Sequence, residues 1–366
     1  YMFGNTKSNL LCHQVKDKYF NDIPYLDIDP YLIMFERVQQ FFKETKDEEA
    51  LDALRHAFYL KVGTQIEPDE FEKGSKIWRK STLIKMLKEW GWDVKKLESL
   101  NNYSKWKMMH KLDLGNKISK ILMASYKNIS EKNKTLDPSE SLITEQDTHL
   151  LGRKLFSFHR AAPNKVDNLG ALVDGETAET ELTFLFKQKT IHEKATWYLI
   201  RGRTPAILEQ IEDEDIIKKS NTLPFLVAFA VFNNLCNKDT QILINAEEQA
   251  LKENDLRALL DQLENFIASV NIAALSNEDL LNDAKVNQLF MLIDFGTPPP
   301  PDITMGNIKD CKNNAELNKF ITRRMDRIKS ITTTYLTSWG ELFCKTYTGL
   351  NCVPRCVSDL SLQLTP

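Results

Sequence analysis

From Tyr31 to Phe158 the apolar side chains of this chain recur at helical spacing, and after Ala161 the period shortens to two. One change of period in 366 residues constrains the fold more than any single motif. Stripes at i, i+3 and i+4 bury against other helices, whereas alternation needs a sheet. The expected class is α+β: an amino-terminal all-helical domain, then a mixed α/β domain with a partly antiparallel sheet. The expected domains are residues 1–162 and 163–366, each long enough to bury its own core.

In the helical half, Asp29 reads as an N-cap and Pro30 as the first position of a helix reaching about Thr45. A second helix covers Glu48 to Lys61, with Leu51, Leu54, Ala57 and Phe58 on one stripe. The third turns Leu83, Ile84, Leu87 and Trp90 inward, and Gly91 suits a left-handed close. A longer helix spans about Ser104 to Asn128, buried through Trp106, Met109, Leu114, Ile118, Ile121 and Leu122. Polar residues from Lys132 to Ser141 read as a linker or loop. Thr144 with Asp147 then caps a helix through Phe158. Beyond the change of period, Leu182 to Phe186 and Thr196 to Arg201 read as a hairpin. A buried helix from Pro224 to Cys236, a strand at Gln241 to Asn245, a helix at Lys252 to Val270 and a strand at Asn287 to Phe295 follow. Pro298 to Pro301 predicts an extended spacer. The threonine triplet Thr332 to Thr334 tips the stretch from Ile328 to Tyr347 towards strands.

A net charge of −3 argues against a dedicated nucleic-acid binder, yet it hides a polarity. From Lys73 to Lys134 there are sixteen basic against five acidic residues, and from Glu247 to Asp283 nine acidic against two basic. Without a helix-turn-helix or zinc-finger pattern, the basic stretch reads as solvated helix faces, and no nucleic-acid partner is expected. No apolar run is long enough for a bilayer span, which needs about 18–20 residues. Six scattered cysteines do not form a disulfide framework, so a reducing cytoplasm is the expected location. Cys352 and Cys356 have only Cys344 nearby as a third thiol, one ligand short of a structural zinc site. Six single histidines offer no metal spacing, and no catalytic triad or Gly-rich phosphate loop is present.

Trp78, Trp90, Trp92 and Trp106 are four of the six tryptophans, and they stand among lysines. Cation plus indole serves either ligand binding or lysine stems packed over aromatic faces. The run reads Trp78-Arg79-Lys80, then Leu87-Lys88-Glu89-Trp90-Gly91-Trp92-Asp93, then Ser104-Lys105-Trp106-Lys107. Upstream stand Asp29-Pro30-Tyr31, Met34, Glu36-Arg37-Val38 and Phe58-Tyr59-Leu60-Lys61-Val62. Downstream come Gly152-Arg153-Lys154-Leu155, Trp197-Tyr198-Leu199 and Phe232-Asn233-Asn234-Leu235. In this order and spacing the set resembles the class I adenylate cyclases of gamma-proteobacteria. The resemblance is dense from about residue 20 to 125, patchy to about 245 and thin beyond, with a return at Ser338-Trp339-Gly340-Glu341.

The resemblance implies conversion of ATP to cyclic AMP and pyrophosphate on a nucleotidyltransferase-type core. That chemistry uses two divalent cations, Mg2+ in the parent enzyme, held by carboxylates. The family supplies them from an Asp-x-Asp pair behind a Gly-Ser loop. Here Asp27-Ile28-Asp29 has no Gly-Ser in front, and Asp29 fits a helix cap better than a metal ligand. The chain also starts at Tyr1, as expected of an internal piece beginning after the catalytic motif. No catalytic residue and no metal ligand is therefore expected in it. Arg37, Lys61, Arg79 and Lys80 are the nucleotide-binding candidates, since a helical unit beside such a core can offer cations to the triphosphate. The bland alternative for each is a solvated charge on an amphipathic helix. A sugar phosphotransferase system protein is a family-level partner. However, enteric members place a histidine just before an aromatic-x-Gly, where this chain has Thr346 before Tyr347-Thr348-Gly349. The rival reading is a non-enzymatic helical module that docks a partner protein.

Overall fold

The computed structural model describes residues 30–103, 106–135, 144–169, 178–187, 196–203, 215–245, 251–268, 276–296, 311–325 and 327–364. They fall in two compact units, one within Tyr1–Trp106 and His110–Ala124, the other within Lys107–Met109 and Ser125–Pro366. Asp29 and the proline run Pro298 to Pro301 lie outside the described residues.

The first unit is helical: α1 Pro30–Thr45, α2 Glu48–Val62, α3 Pro68–Lys73, α4 Trp78–Glu89, α5 Val94–Asn101 and residues 110–124 of α6 Met108–Thr135. Local chemistry sets the ends. Asp47 caps α2 by accepting from Ala50 N at 3.0 Å, and Gly63 closes it at φ 63°. Gly91 takes φ 73° after α4, and Asp93 caps α5 through Lys96 N at 2.8 Å. Leu83, Ile84, Leu87 and Trp90 are buried as expected. On α2 the inward face is instead Ala50, Leu51, Ala53 and Tyr59, with Leu54 and Phe58 partly buried beside it.

The tryptophan run divides in use. Trp90 and Trp92 are core residues, their rings 5.2 Å apart and near-perpendicular, with Phe35 against Trp90 and Tyr59 against Trp92. Trp106 is half-buried and donates to Ser99 O at 2.7 Å. Only Trp78 of the four is exposed. Helix α6 starts later and runs further than its sequence predicts. Lys132 to Thr135 are helical because no glycine or proline interrupts them, and Leu122 lies exposed.

The second unit opens with α7 Glu145–His159, where Thr144 and Asp147 form the expected capping box. Four strands follow in sheet order β3-β2-β1-β4: β1 Glu181–Lys187, β2 Thr196–Arg201, β3 Ile216–Ser220 and β4 Gln241–Asn245. The β1–β2 and β2–β3 pairs are antiparallel and β1–β4 is parallel. Between β3 and β4 lies α8 Leu223–Phe232, buried along almost its whole length. It stops at Phe232, short of Cys236, because Asn234 turns left-handed and Leu235 N returns to Ala230 O at 2.9 Å. Then come α9 Glu253–Ala268, α10 Asn277–Leu281, β5 Val286–Ile293, α11 Asn314–Met325, β6 Ser330–Thr337, β7 Leu342–Thr348 and α12 Cys352–Leu364. Strands β5, β6 and β7 make an antiparallel sheet, with Thr332 to Thr334 buried within it. The α+β class and both strand groups match the expectation. Strand β3 and helices α3, α5, α10, α11 and α12 had not been expected.

Candidate functional site: cations of the helical unit

The four cationic candidates occupy different settings. Arg37 is exposed on α1, and Lys61 is exposed in the last turn of α2, where the helix dipole favours a cation. Neither makes an ion pair among the described residues. Arg79 and Lys80 stand in the first turn of α4, which contains no acidic residue. Two cations at the positive end of a helix repel its amides, so an anion there would gain from both. Lys80 is already committed, since its Nζ reaches Glu70 Oε1 at 2.9 Å and Oε2 at 2.7 Å. That bond holds the Glu70 carboxyl below its ordinary range, helped by the Glu67 amide. Arg79 is exposed and lies over the ring of Trp78, 5.3 Å from its centroid.

A second polar group on α2 was not anticipated. Arg55 donates to Gln39 Oε1 at 3.0 Å and covers Trp90 at 5.6 Å. Burial pushes its guanidinium below the ordinary range, against the pull of Glu48 and Asp52. Next to it, His56 Nδ1 lies 2.7 Å from Asp52 O, and its ring packs 5.1 Å from Trp92. The imidazole is pushed down, mainly by burial. Arg55 is a stem over an indole, so its geometry serves packing. The lysines around Trp92 follow the same pattern, with Lys96 4.9 Å over the ring and paired to Asp52.

In the second unit two motifs quoted from the sequence meet. Arg153 covers Trp339 at 5.2 Å and donates to Leu280 O at 2.8 Å, while Trp339 Nε1 donates to Asp279 O and Asn282 O. Together they grip α10 and its exit. Two residues on, Glu341 accepts from Lys165 Nζ at 2.8 Å. The same ammonium donates to Phe156 O and Ser157 O at the end of α7, and Lys165 is 7% exposed. A lone lysine in Asn164-Lys165-Val166 carries no sequence signal of burial. Near the carboxyl end, Cys352 and Cys356 pack with Ile331 and Tyr347. Burial lifts the Cys344 thiol to about 11, so it is a core thiol without nucleophilic character at neutral pH.

The described residues do not fit a pair of divalent cations, because no group of three or more His, Cys, Asp or Glu side chains converges among them. Asp27 and Asp29 lie outside those residues. A second Asp-x-Asp, Asp213-Glu214-Asp215, stands further along the sequence. It too lacks a Gly-Ser in front, Asp213 and Glu214 are outside the described residues, and Asp215 pairs with Lys107 at 3.5 Å. Gly74-Ser75 sits in the turn before α4, and Ser75 Oγ accepts from Ile77 N there. No described helix is long and apolar enough to cross a membrane.

The family model described as adenylate cyclase, class-I, second domain matches residues 1–170, and that of the third domain matches residues 177–270. The adenylate cyclase of Haemophilus influenzae is 26% identical over 345 residues, covering 94% of this chain and 40% of the relative. That of Escherichia coli K12 is 26% identical over 349 residues, covering 93% and 40%. Over a shorter stretch, the Escherichia coli O6:H1 adenylate cyclase is 30% identical across 245 residues, 67% of this chain and 28% of the relative. The chain thus spans about two fifths of the length of these first two relatives. No solved structure matches.

Proposed function

Because this chain belongs to the class I adenylate cyclase family, we propose that it is the central portion of an enzyme that forms cyclic AMP and pyrophosphate from ATP in the cytoplasm. In this reading the helical region up to about residue 162 adjoins a nucleotidyltransferase core and shapes the nucleotide cleft. The α+β region after it leads into regulation. The observation that carries the reading is the first turn of α4. Arg79 and Lys80 stand at the positive end of a helix without an acidic neighbour in that turn, a setting that attracts phosphate oxygens. Helix α4 is itself fixed by Leu83, Ile84, Met86 and Leu87 in the core, so a cation on it would be presented without reorganisation.

Divalent cations would supply charge neutralisation for the departing pyrophosphate. The described residues offer no donor set for them, so no step is assigned to this chain through a metal. Its part is to hold cations near the triphosphate, with Arg79 and Lys61 ahead of Lys80, which is bound to Glu70. The sugar phosphotransferase system remains a proposed partner of the full-length enzyme. Phosphoryl transfer to position 346 is not part of the proposal, since Thr346 lies in β7 with its hydroxyl 2.9 Å from that of Thr332.

Measurement of ATP affinity and turnover in the full-length enzyme tests this. Lys61→Ala and Arg79→Ala should each weaken ATP binding about tenfold or more, the loss of one charge-assisted contact. Lys80→Ala should act mainly on thermal stability through the orphaned Glu70. Unchanged affinity and turnover in the first two variants would reduce them to surface charges.

A further inference from the structure

Helix α1 has two apolar faces. Leu32, Ile33, Phe35 and Phe42 are buried in the first unit. On the other side Met34, Val38 and Phe41 are 45, 38 and 51% exposed. Their spacing of four and three residues lays them along one narrow stripe, the seam spacing of helices that pack on a partner. Arg37 lies at the same helix surface, three residues from Met34 and four from Phe41.

We infer that this stripe is the docking surface for the family's first domain, the nucleotidyltransferase domain of the enzyme. The inference rests on the function proposed above and names the surface it leaves open. Three observations select the occupant. The matched models are the family's second and third domains, and α1 is the first described helix of the second. The relatives are more than twice as long as the stretch they share with this chain, so more chain is joined to these domains in them. The stripe is also small. Three partly exposed side chains cover on the order of 250 Å², about a third of what each partner contributes to a stable interface between separate chains. An area this small suffices when the partner is tethered, because a short linker supplies an effective concentration of about millimolar. A second copy of this chain, free in solution, has no such advantage. Docking here would also carry Arg37 to the domain that holds ATP.

Hydrogen exchange separates the alternatives. Amides of residues 34–41 should exchange at least tenfold more slowly in the full-length enzyme than in this chain alone, and Val38→Glu should abolish that difference. Val38 is exposed, so the variant should keep the melting temperature of the chain alone. Met34→Gln is a milder second variant, expected to lose part of the protection. Equal exchange in the two proteins would overturn the inference. So would a dimer of the isolated chain that Val38→Glu dissociates, since a second copy would then own the stripe. Failure of the nucleotide-cleft reading looks different: protection of α1 with Lys61→Ala and Arg79→Ala leaving ATP affinity untouched.

Discussion

Asn101 fixes the loop between α2 and α3 with one amide. Its Oδ1 accepts from the Tyr59 hydroxyl at 2.6 Å, and its Nδ2 donates to Ile66 O at 2.9 Å. Ile66 is fully buried and Tyr59 nearly so. Asn101→Ala would strand a hydroxyl and a carbonyl away from water, which costs about 1–3 kcal/mol. The urea midpoint of the chain should fall accordingly, and an unchanged midpoint would mean that water replaces the amide at no cost. His56 gives a pH dependence whose sign follows from its setting. Its folded value lies below the ordinary 6.5 because burial disfavours the imidazolium. Above the unfolded value both states are neutral and nothing is lost. As pH falls below about 6.5 the unfolded chain takes up a proton first, so stability declines until the folded value is passed. Denaturant midpoints at about pH 7.5 and 5.5 should therefore converge in His56→Gln relative to the parent, bracketing the ordinary histidine value. At this scale the sequence was partly legible. A tryptophan among lysines is compatible with either core or ligand, and only the packing of Trp90 on Trp92 decides for core. Neither Asn101 nor Lys165 carries a mark in the sequence, because each gains its role from chain far away.

Helix α7, the segment around Lys165 and strand β7 are joined by one buried ion pair. Val166 N donates to Leu342 O, Cys344 N to Asn164 O, and Lys165 Nζ closes the end of α7 and meets Glu341. Glu341→Gln would leave the ammonium buried with carbonyls as its remaining partners. Breaking such a pair from one side costs about 3–5 kcal/mol. The double variant Lys165→Met with Glu341→Leu removes both charges and should recover most of that loss. A double-variant cycle on the whole chain measures it, and equal losses in single and double variants would show that shape rather than charge matters here. Elements of this kind explain what could be read in advance. Helices with a wide apolar stripe, such as α1, α2, α4 and α7, announce themselves, as do β1 and β2 by alternation. Strand β3 escapes because only Ile216 and Ile217 of its five residues are apolar, and its place beside β2 is set by pairing. The short α10 opens on a Ser276–Asp279 capping box and is held by Arg153 and Trp339, but its five residues are too few for a stripe. Helix α12 buries Cys352 and Cys356 against Ile331 and Tyr347.

The two compact units each hold a core, the first around Trp90 and Trp92, the second between sheet and α8, and neither brings together carboxylates for metal ions among the described residues. Cyclisation of ATP needs charge of the opposite sign at both ends of the reacting phosphate, with cations on the triphosphate and carboxylates behind the metals. Of these, in the proposed reading, the described residues supply cations alone. The proposed division of labour therefore predicts no cyclic AMP from this 366-residue chain with ATP and magnesium or manganese. The same incubation should still register weak triphosphate binding by calorimetry that declines with added salt, because exposed Lys61 and Arg79 act through screened charge. Binding without turnover is the outcome that assigns the chain a supporting part. Turnover that disappears on replacing an aspartate of this chain, with Asp27, Asp29, Asp213 and Asp215 the first to try, would place the chemistry here instead and leave the cations of α4 a lesser role.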